Sequence, residues 1–230
     1  MQNAKFCMNL YEDDNFLVID KPAGVNADDF ERRVHRLDKD TSGILLIAKN
    51  DNALEFLQKQ FKERRVKKKY LALVVGNLKN EGVGEEDKSS SSPFANARVI
   101  ETLIGRSPKD RRKQKVYLLH DPRAEGKRMA VTKYKVLKRF ENYDLIEVEP
   151  KTGRKHQIRT HLAYLGHPIA GDKLYGFKNQ LTPKGLKRQF LHASYLKINL
   201  PNGEIREFKS ALPNDLKLCL QNLIFSTNYN

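Results

Sequence analysis

His35-Arg36-Leu37-Asp38-Lys39-Asp40-Thr41-Ser42-Gly43 runs without a break into Ile44-Leu45-Leu46-Ile47-Ala48. The second part is an apolar strand, and the first is a loop whose Thr41, Ser42 and Gly43 suit a tight, hydrogen-bonded turn. Asp38 is therefore expected on a loop positioned by rigid structure, the way scaffolds present a reactive carboxylate at a cleft. An ordinary surface turn is the plain alternative.

Outward from that strand, Phe16-Leu17-Val18-Ile19 reads as a second one, closed by the turn residues Lys21-Pro22-Ala23-Gly24. Asn52 with Glu55 resembles a capping box, and Leu54, Leu57 and Phe61 follow helical spacing for about three turns. Tyr70 to Val75 predicts a core strand that stops at Gly76. Asn77 to Pro93 is polar, includes the serine run Ser89 to Ser92, and predicts a flexible insertion. Strands are expected at Ala97 to Leu103, Val116 to Leu119, Val131 to Leu137 and Asp144 to Val148. His156 to Leu165 predicts a helix with Ile158, Leu162 and Leu165 on one stripe and Gly166 as its stop. A hairpin is expected from Leu191 to Phe208 around Pro201-Asn202-Gly203-Glu204, and a last helix over Asn214 to Leu223. No repeat of fixed period occurs. The expected class is α+β with a largely antiparallel sheet, in one domain over 1–230.

Lys and Arg number 43 against 28 Asp and Glu, a formal charge of +15 in 230 residues. Such an excess implies a polyanionic partner. The basic residues fall in separate segments, at Arg64 to Lys69, Lys109 to Lys115, Arg154-Lys155 and Lys184 to Arg188, which favours nucleic acid over a membrane surface. No window reaches the length of a membrane span, and Met1 to Leu10 lacks a signal-peptide core. The two cysteines, Cys7 and Cys219, make no disulfide framework, so a reducing, cytoplasmic setting is expected.

His156, His161 and His167 lie near Asp172, but His156 and His161 are five apart and do not share a helix face, so they are expected to pack or hydrogen-bond rather than hold a metal. Phosphate-binding glycine loops and a Gly-x-Ser-x-Gly elbow are missing. One well-placed aspartate, several arginines and an anionic substrate remain. That combination suits chemistry on a nucleotide.

HRLDKDTSG, His35 to Gly43, resembles the signature of the RluA-type pseudouridine synthases, and further segments match in the same order. These are Asp14 to Val25 (DNFLVIDKPAGV), Lys69 to Ala72 (KYLA), Ile104 to Val116 (IGRSPKDRRKQKV), Thr152 to Gly176 (TGRKHQIRTHLAYLGHPIAGDKLYG) and Leu191-His192-Ala193. The likeness implies a mostly antiparallel mixed central sheet with flanking helices and a catalytic cleft. It implies isomerisation of uridine in ribosomal or transfer RNA without a cofactor or metal.

By the same resemblance, Asp38 is the essential carboxylate, either a nucleophile at ribose C1′ or a base on the ribose. Arg159 matches its basic partner, and Tyr70 the aromatic that stacks on the reacting base and takes part in proton transfer at C5. Arg36 matches an arginine that fills the space left by a flipped base. His35, Arg154, His156 and Leu191 join the expected substrate-binding set, with a core role open for Leu191 and a structural one for His35. Ten residues, Val25 to Val34, separate Gly24 from His35, fewer than the family commonly has. No small S4-type RNA-binding domain is expected upstream. The chain is expected to act as a monomer on RNA, without DNA or membrane partners. A non-catalytic RNA-binding or ribosome-assembly protein on the same fold is the competing reading, and a basic nuclease lacks a metal cluster or a convincing histidine pair.

Overall fold

A computed structural model describes residues 7–78 and 97–227 of the chain. Two compact units make it up, Met1–Tyr70 with Leu191–Asn214, and Leu71–Phe190 with Asp215–Asn230.

In the first unit, β1 (Met8–Glu12), β2 (Phe16–Lys21) and β3 (Ser42–Ala48) pair antiparallel in order. The apolar run of β3 is continuous because both of its faces are covered. Ile44, Leu46 and Ala48 enter one core cluster with Phe16, Val18, Leu57 and Ile198, while Leu45 joins Ile19, Leu37 and Ala193 in another. The start of β3 pairs parallel with β9 (Leu191–Asn199), Gly43 lying opposite Ala193. Gly43 has φ +114°, and a Cβ there would stand 2.3 Å from the Ala193 carbonyl oxygen. The last residue of the HRLDKDTSG stretch is thus a glycine for reasons of both backbone angle and close strand approach. The hairpin partner β10 (Ile205–Lys209) pairs antiparallel with β9 as expected.

α1 (Asp51–Lys62) buries Leu57 against this core, with Leu54 and Phe61 partly buried beside it. Its cap is Asn50, not the expected Asn52: the Asn50 side chain accepts the Ala53 N–H at 2.8 Å. β1 is an edge strand with little burial, so it carries no apolar alternation that would reveal it in the sequence.

β4 (Lys67–Val75) starts in the first unit and ends in the second. The second unit continues from it in the order β4-β8-β7-β5-β6, using β5 (Arg98–Arg106), β6 (Gln114–Tyr117), β7 (Arg128–Arg139) and β8 (Tyr143–Pro150). The pairs among β5 to β8 are all antiparallel. Ala130, Thr132 and Tyr134 alternate inward along β7. α2 (Gln157–Tyr164) places Ile158 and Leu162 in the interior, and Leu165 is only half-buried. Gly166, at φ +83°, ends α2 as expected: its N–H bonds to the Ala163 carbonyl and that of His167 to the Leu162 carbonyl, a Schellman closure. α3 (Asn214–Thr227) extends past the expected Leu223.

Two expectations shift. β6 reaches back to Gln114, while Leu118 and Leu119 leave the strand and are exposed. Of the expected insertion, Asn77 and Leu78 are anchored: the Asn77 amide donates to the Phe140 carbonyl, and the buried Leu78 donates its N–H to Asp144. The rest of that segment, 79–93, lies outside the described residues. Among the described residues, no helix is long and apolar enough to cross a membrane.

Candidate active site

Asp38 sits on the loop between β2 and β3, half-buried, and backbone bonds fix the loop on either side of it. Its carbonyl accepts the Thr41 N–H at 3.0 Å, closing a turn. The next carbonyl, of Lys39, accepts from the Gly24 N–H at 2.9 Å and from the Lys21 ammonium at 3.1 Å. Lys21 is fully buried and also donates to the carbonyls of Pro22 and Val25, both at 2.8 Å, so one charge satisfies three backbone oxygens and ties two loops together. Leu37 before Asp38, and Thr41 and Ser42 after it, are buried. The backbone that carries Asp38 is thus fixed on both sides.

Tyr70, on β4, packs against the cluster that contains Leu37 and Leu45. Burial and then the negative charge of Asp38 push its phenol well above the usual range. These two expected residues belong to the same unit, near enough for the charge of one to act on the other. Tyr70 is accordingly protonated at any working pH, fit to stack and to donate a hydrogen bond rather than to serve as a resting phenolate.

His35 serves the scaffold. Its Nε2 accepts the Leu46 N–H at 3.2 Å, and its ring stacks on Phe61 with centroids 4.8 Å apart. Burial, then the charge of Lys68, lowers its pKa to about 3, so the ring is neutral and locks the loop onto β3 and α1. Arg36 is exposed, beside Asp28. Leu191 is buried at the start of β9, the core role left open for it.

The second unit gathers Arg154, His156 and Arg159. Arg159 is nearly buried and grips Asp172 through two bonds, Nε to Oδ2 at 2.7 Å and Nη2 to Oδ1 at 2.9 Å. Burial raises the Asp172 carboxyl, but the bonds and charge of Arg159 and the N–H groups of Tyr175 and Leu174 outweigh it, leaving the group below its ordinary value. The Arg159 guanidinium also lies over the Tyr175 ring, 5.1 Å from its centroid. The Tyr175 hydroxyl accepts the Gln114 N–H at 2.7 Å and is hydrogen-bonded to Nδ1 of His156 at 2.9 Å. Arg154 donates from Nε to the Met129 carbonyl at 2.9 Å. His161 lies buried between the hydroxyls of Thr102 and Thr132, and His167 bonds to the Val75 carbonyl. The histidines near Asp172 are thus engaged in hydrogen bonds.

The family described as RNA pseudouridylate synthase matches residues 31–164, more than half of the chain. The chain belongs to the RNA pseudouridylate synthase family. It is 41% identical over 198 residues to an RNA pseudouridine synthase of Chloroflexus aurantiacus, described as uncharacterized, covering 86% of this chain and 55% of that protein. Against ribosomal large subunit pseudouridine synthase C of Escherichia coli K12 the identity is 37% over 240 residues, with 93% of this chain and 69% of that one covered. The chain thus spans about half to two thirds of these relatives. The solved structure of human RNA pseudouridylate synthase domain containing 1 superposes with a TM-score of 0.75 at 28% identity, covering 97% of this chain and 95% of that one. Family and α+β fold both agree with the motif reading.

Three features of this family member went unread in the sequence: the buried Lys21, the Asp172–Tyr175 support of Arg159, and a buried chain of side-chain bonds behind Gly43. In the last, His192 Nε2 lies 3.1 Å from the Ser210 carbonyl, which fixes the ring hydrogen there and makes Nδ1 the acceptor for the Ser42 hydroxyl at 3.0 Å. Lys21 and Asp172 both lie inside matched segments, and the only local signals were the turn glycine Gly171 before Asp172 and the turn that Lys21 opens toward Gly24.

Proposed function

We propose that this chain isomerises uridine to pseudouridine in RNA, with Asp38 as the essential carboxylate. The observation that carries this reading is the fixed Asp38 loop with Tyr70 packed beside it, in a chain of this family with a charge of +15. The N1–C1′ bond breaks, the base turns, and C5 bonds to C1′, after which C5 loses its proton and N1 gains one. Nothing enters or leaves overall, so no electron or group carrier is needed. Asp38 either attacks C1′ or removes a ribose proton, and both roles need an ionised carboxylate aimed at the sugar.

A uridine inside a stem must first leave the stack, at a cost of roughly a few kcal/mol. The exposed Arg36, two residues from Asp38, is suited to fill the vacated space, because a guanidinium both stacks and hydrogen-bonds. Tyr70 stacks on the turned base. On the resemblance Arg159 is the cationic partner of the essential carboxylate, with Arg154 and His156 as further RNA contacts. Ribosomal RNA is the favoured substrate, since several relatives bear names of ribosomal large subunit synthases. Both units act as one catalytic domain, as a cytoplasmic monomer.

The test is to map pseudouridines in total RNA from cells with and without the protein, and with Asp38→Asn. Loss of one or more sites in the Asp38→Asn strain, with RNA binding retained by the purified variant, is the expected result. An unchanged map together with intact RNA binding would favour the non-catalytic reading.

A further inference from the structure

The loop ahead of Asp38 carries two further arginines, Arg32 and Arg33, to which the reaction assigns no part. Arg32, Arg33 and Arg36 line a groove of about 470 Å³ on the first unit, with Leu54 and Gln58 of α1 on its other wall. That volume suits a nucleotide-sized ligand. Leu54 offers an apolar surface to a base, and the Gln58 amide carries both donors and an acceptor for a base edge.

One carboxylate faces two of the arginines. Arg33 Nη2 lies 2.8 Å from Asp28 Oδ1, and Arg36 Nη2 lies 3.8 Å from Asp28 Oδ2. Asp28 is set in a short 3₁₀ turn, Ala27–Asp29, where the Asn26 side chain accepts its N–H. Two guanidinium groups converging on two oxygens of one anion is how arginines bind a phosphodiester. The side chains of Arg33, Arg36 and Asp28 are 36, 51 and 43% exposed, so a larger anion can reach them. Ion pairs this exposed are weak, and a polyanion displaces them readily. Arg32, held by Asp51 at 2.8 Å, extends the same basic edge.

Resting on the Asp38 reading above, we propose that this groove binds the RNA strand beside the reacting uridine, and that Asp28 stands in the free protein where a backbone phosphate stands in the complex. Asp28 then holds Arg33 and Arg36 in place without RNA and, when the strand arrives, yields Arg33 to the phosphate and Arg36 to the space beside it.

The test uses the full chain and fluorescence anisotropy with a short, labelled, uridine-containing single-stranded RNA over a salt series. Asp28→Asn should bind several-fold more tightly, and the slope of log affinity against log salt should steepen by about 0.7, one phosphate contact. Arg33→Gln should bind about tenfold more weakly, with a slope shallower by a similar amount. Melting curves for both variants check that the loop is intact. Wild-type affinity and slope in Asp28→Asn would overturn the proposal. So would weaker binding with a lowered melting temperature, which would make Asp28 a strut of the loop. Equal affinity of the wild type for polyglutamate would also overturn it, by placing an acidic protein in the groove. If the predicted shifts occur but wild type forms no pseudouridine, the isomerase reading fails and the groove stands. Pseudouridine formation with unshifted binding fails the groove alone.

Discussion

Lys21 ties the Asp38 loop to the turn that follows β2. Its buried ammonium is bonded to the carbonyls of Pro22, Val25 and Lys39, and the last of these belongs to the residue after Asp38. Lys21→Met keeps the length of the side chain but leaves those oxygens without their charged donor. A stability loss of roughly 3 kcal/mol is expected, from the desolvated groups left unpaired. Urea unfolding measures it, and an unchanged midpoint would show that the carbonyls find other donors. Leu37 packs on one side of Asp38, but the stretch Lys39-Asp40-Thr41-Ser42 on the other side has no apolar side chain to anchor it, so its carbonyls rely on donors such as Lys21. The motif singled out Asp38 as the proposed catalytic carboxylate, but Lys21 looked like part of a turn, since nothing local says which carbonyls a lysine will meet.

At the scale of elements, α2 is shaped as much by its neighbours as by its own sequence. The stop at Gly166 follows from the local pattern, and the stripe of Ile158 and Leu162 marks the buried face. The orientation of Arg159 does not follow, because it is set by Asp172 and by the Tyr175 ring. Tyr175→Phe keeps the ring under the guanidinium but removes the hydroxyl that joins Gln114 at the start of β6 to His156 at the start of α2. The expected outcome is a fall in kcat of about tenfold on RNA, with a smaller change in KM, since an orienting bond rather than a binding contact is lost. Equal kcat in wild type and variant would make the hydroxyl merely structural. The expected strands were recovered where alternation or apolar runs are strong, as in β3, β7 and β9. β1 escaped because it is an exposed edge, and the α1 cap moved to Asn50 because only the bond to the Ala53 N–H distinguishes it from Asn52.

For the whole molecule, acid should loosen the fold well before carboxylates protonate. His35 is lowered to about 3 and His161 to about 4, each chiefly by burial. Below the ordinary histidine value near 6.5 the unfolded chain therefore binds protons that the native state refuses. Stability should fall as pH drops from about 6.5 toward 4, by at most about 1.4 kcal/mol per pH unit for each histidine, less for the partly solvated His35. The Asp172 contribution, from a lowered carboxyl, is present above about 4 and is lost only below that value. Urea midpoints at pH 7 and pH 5 test this: equal midpoints would sink it, and His161→Asn should flatten the difference. Charge, family and the loop that runs into β3 were legible in the sequence alone, because net charge is a sum over residues and turn and strand patterns are local. Only the tertiary structure decided the parallel pairing of β3 with β9, the grip of Asp172 on Arg159 and the bond from Ser42 to His192, 150 residues away. A polar side chain can satisfy its hydrogen bonds with any suitable group, so its partner is set by where the chain returns in space, and that return is directed by apolar surfaces far along the sequence.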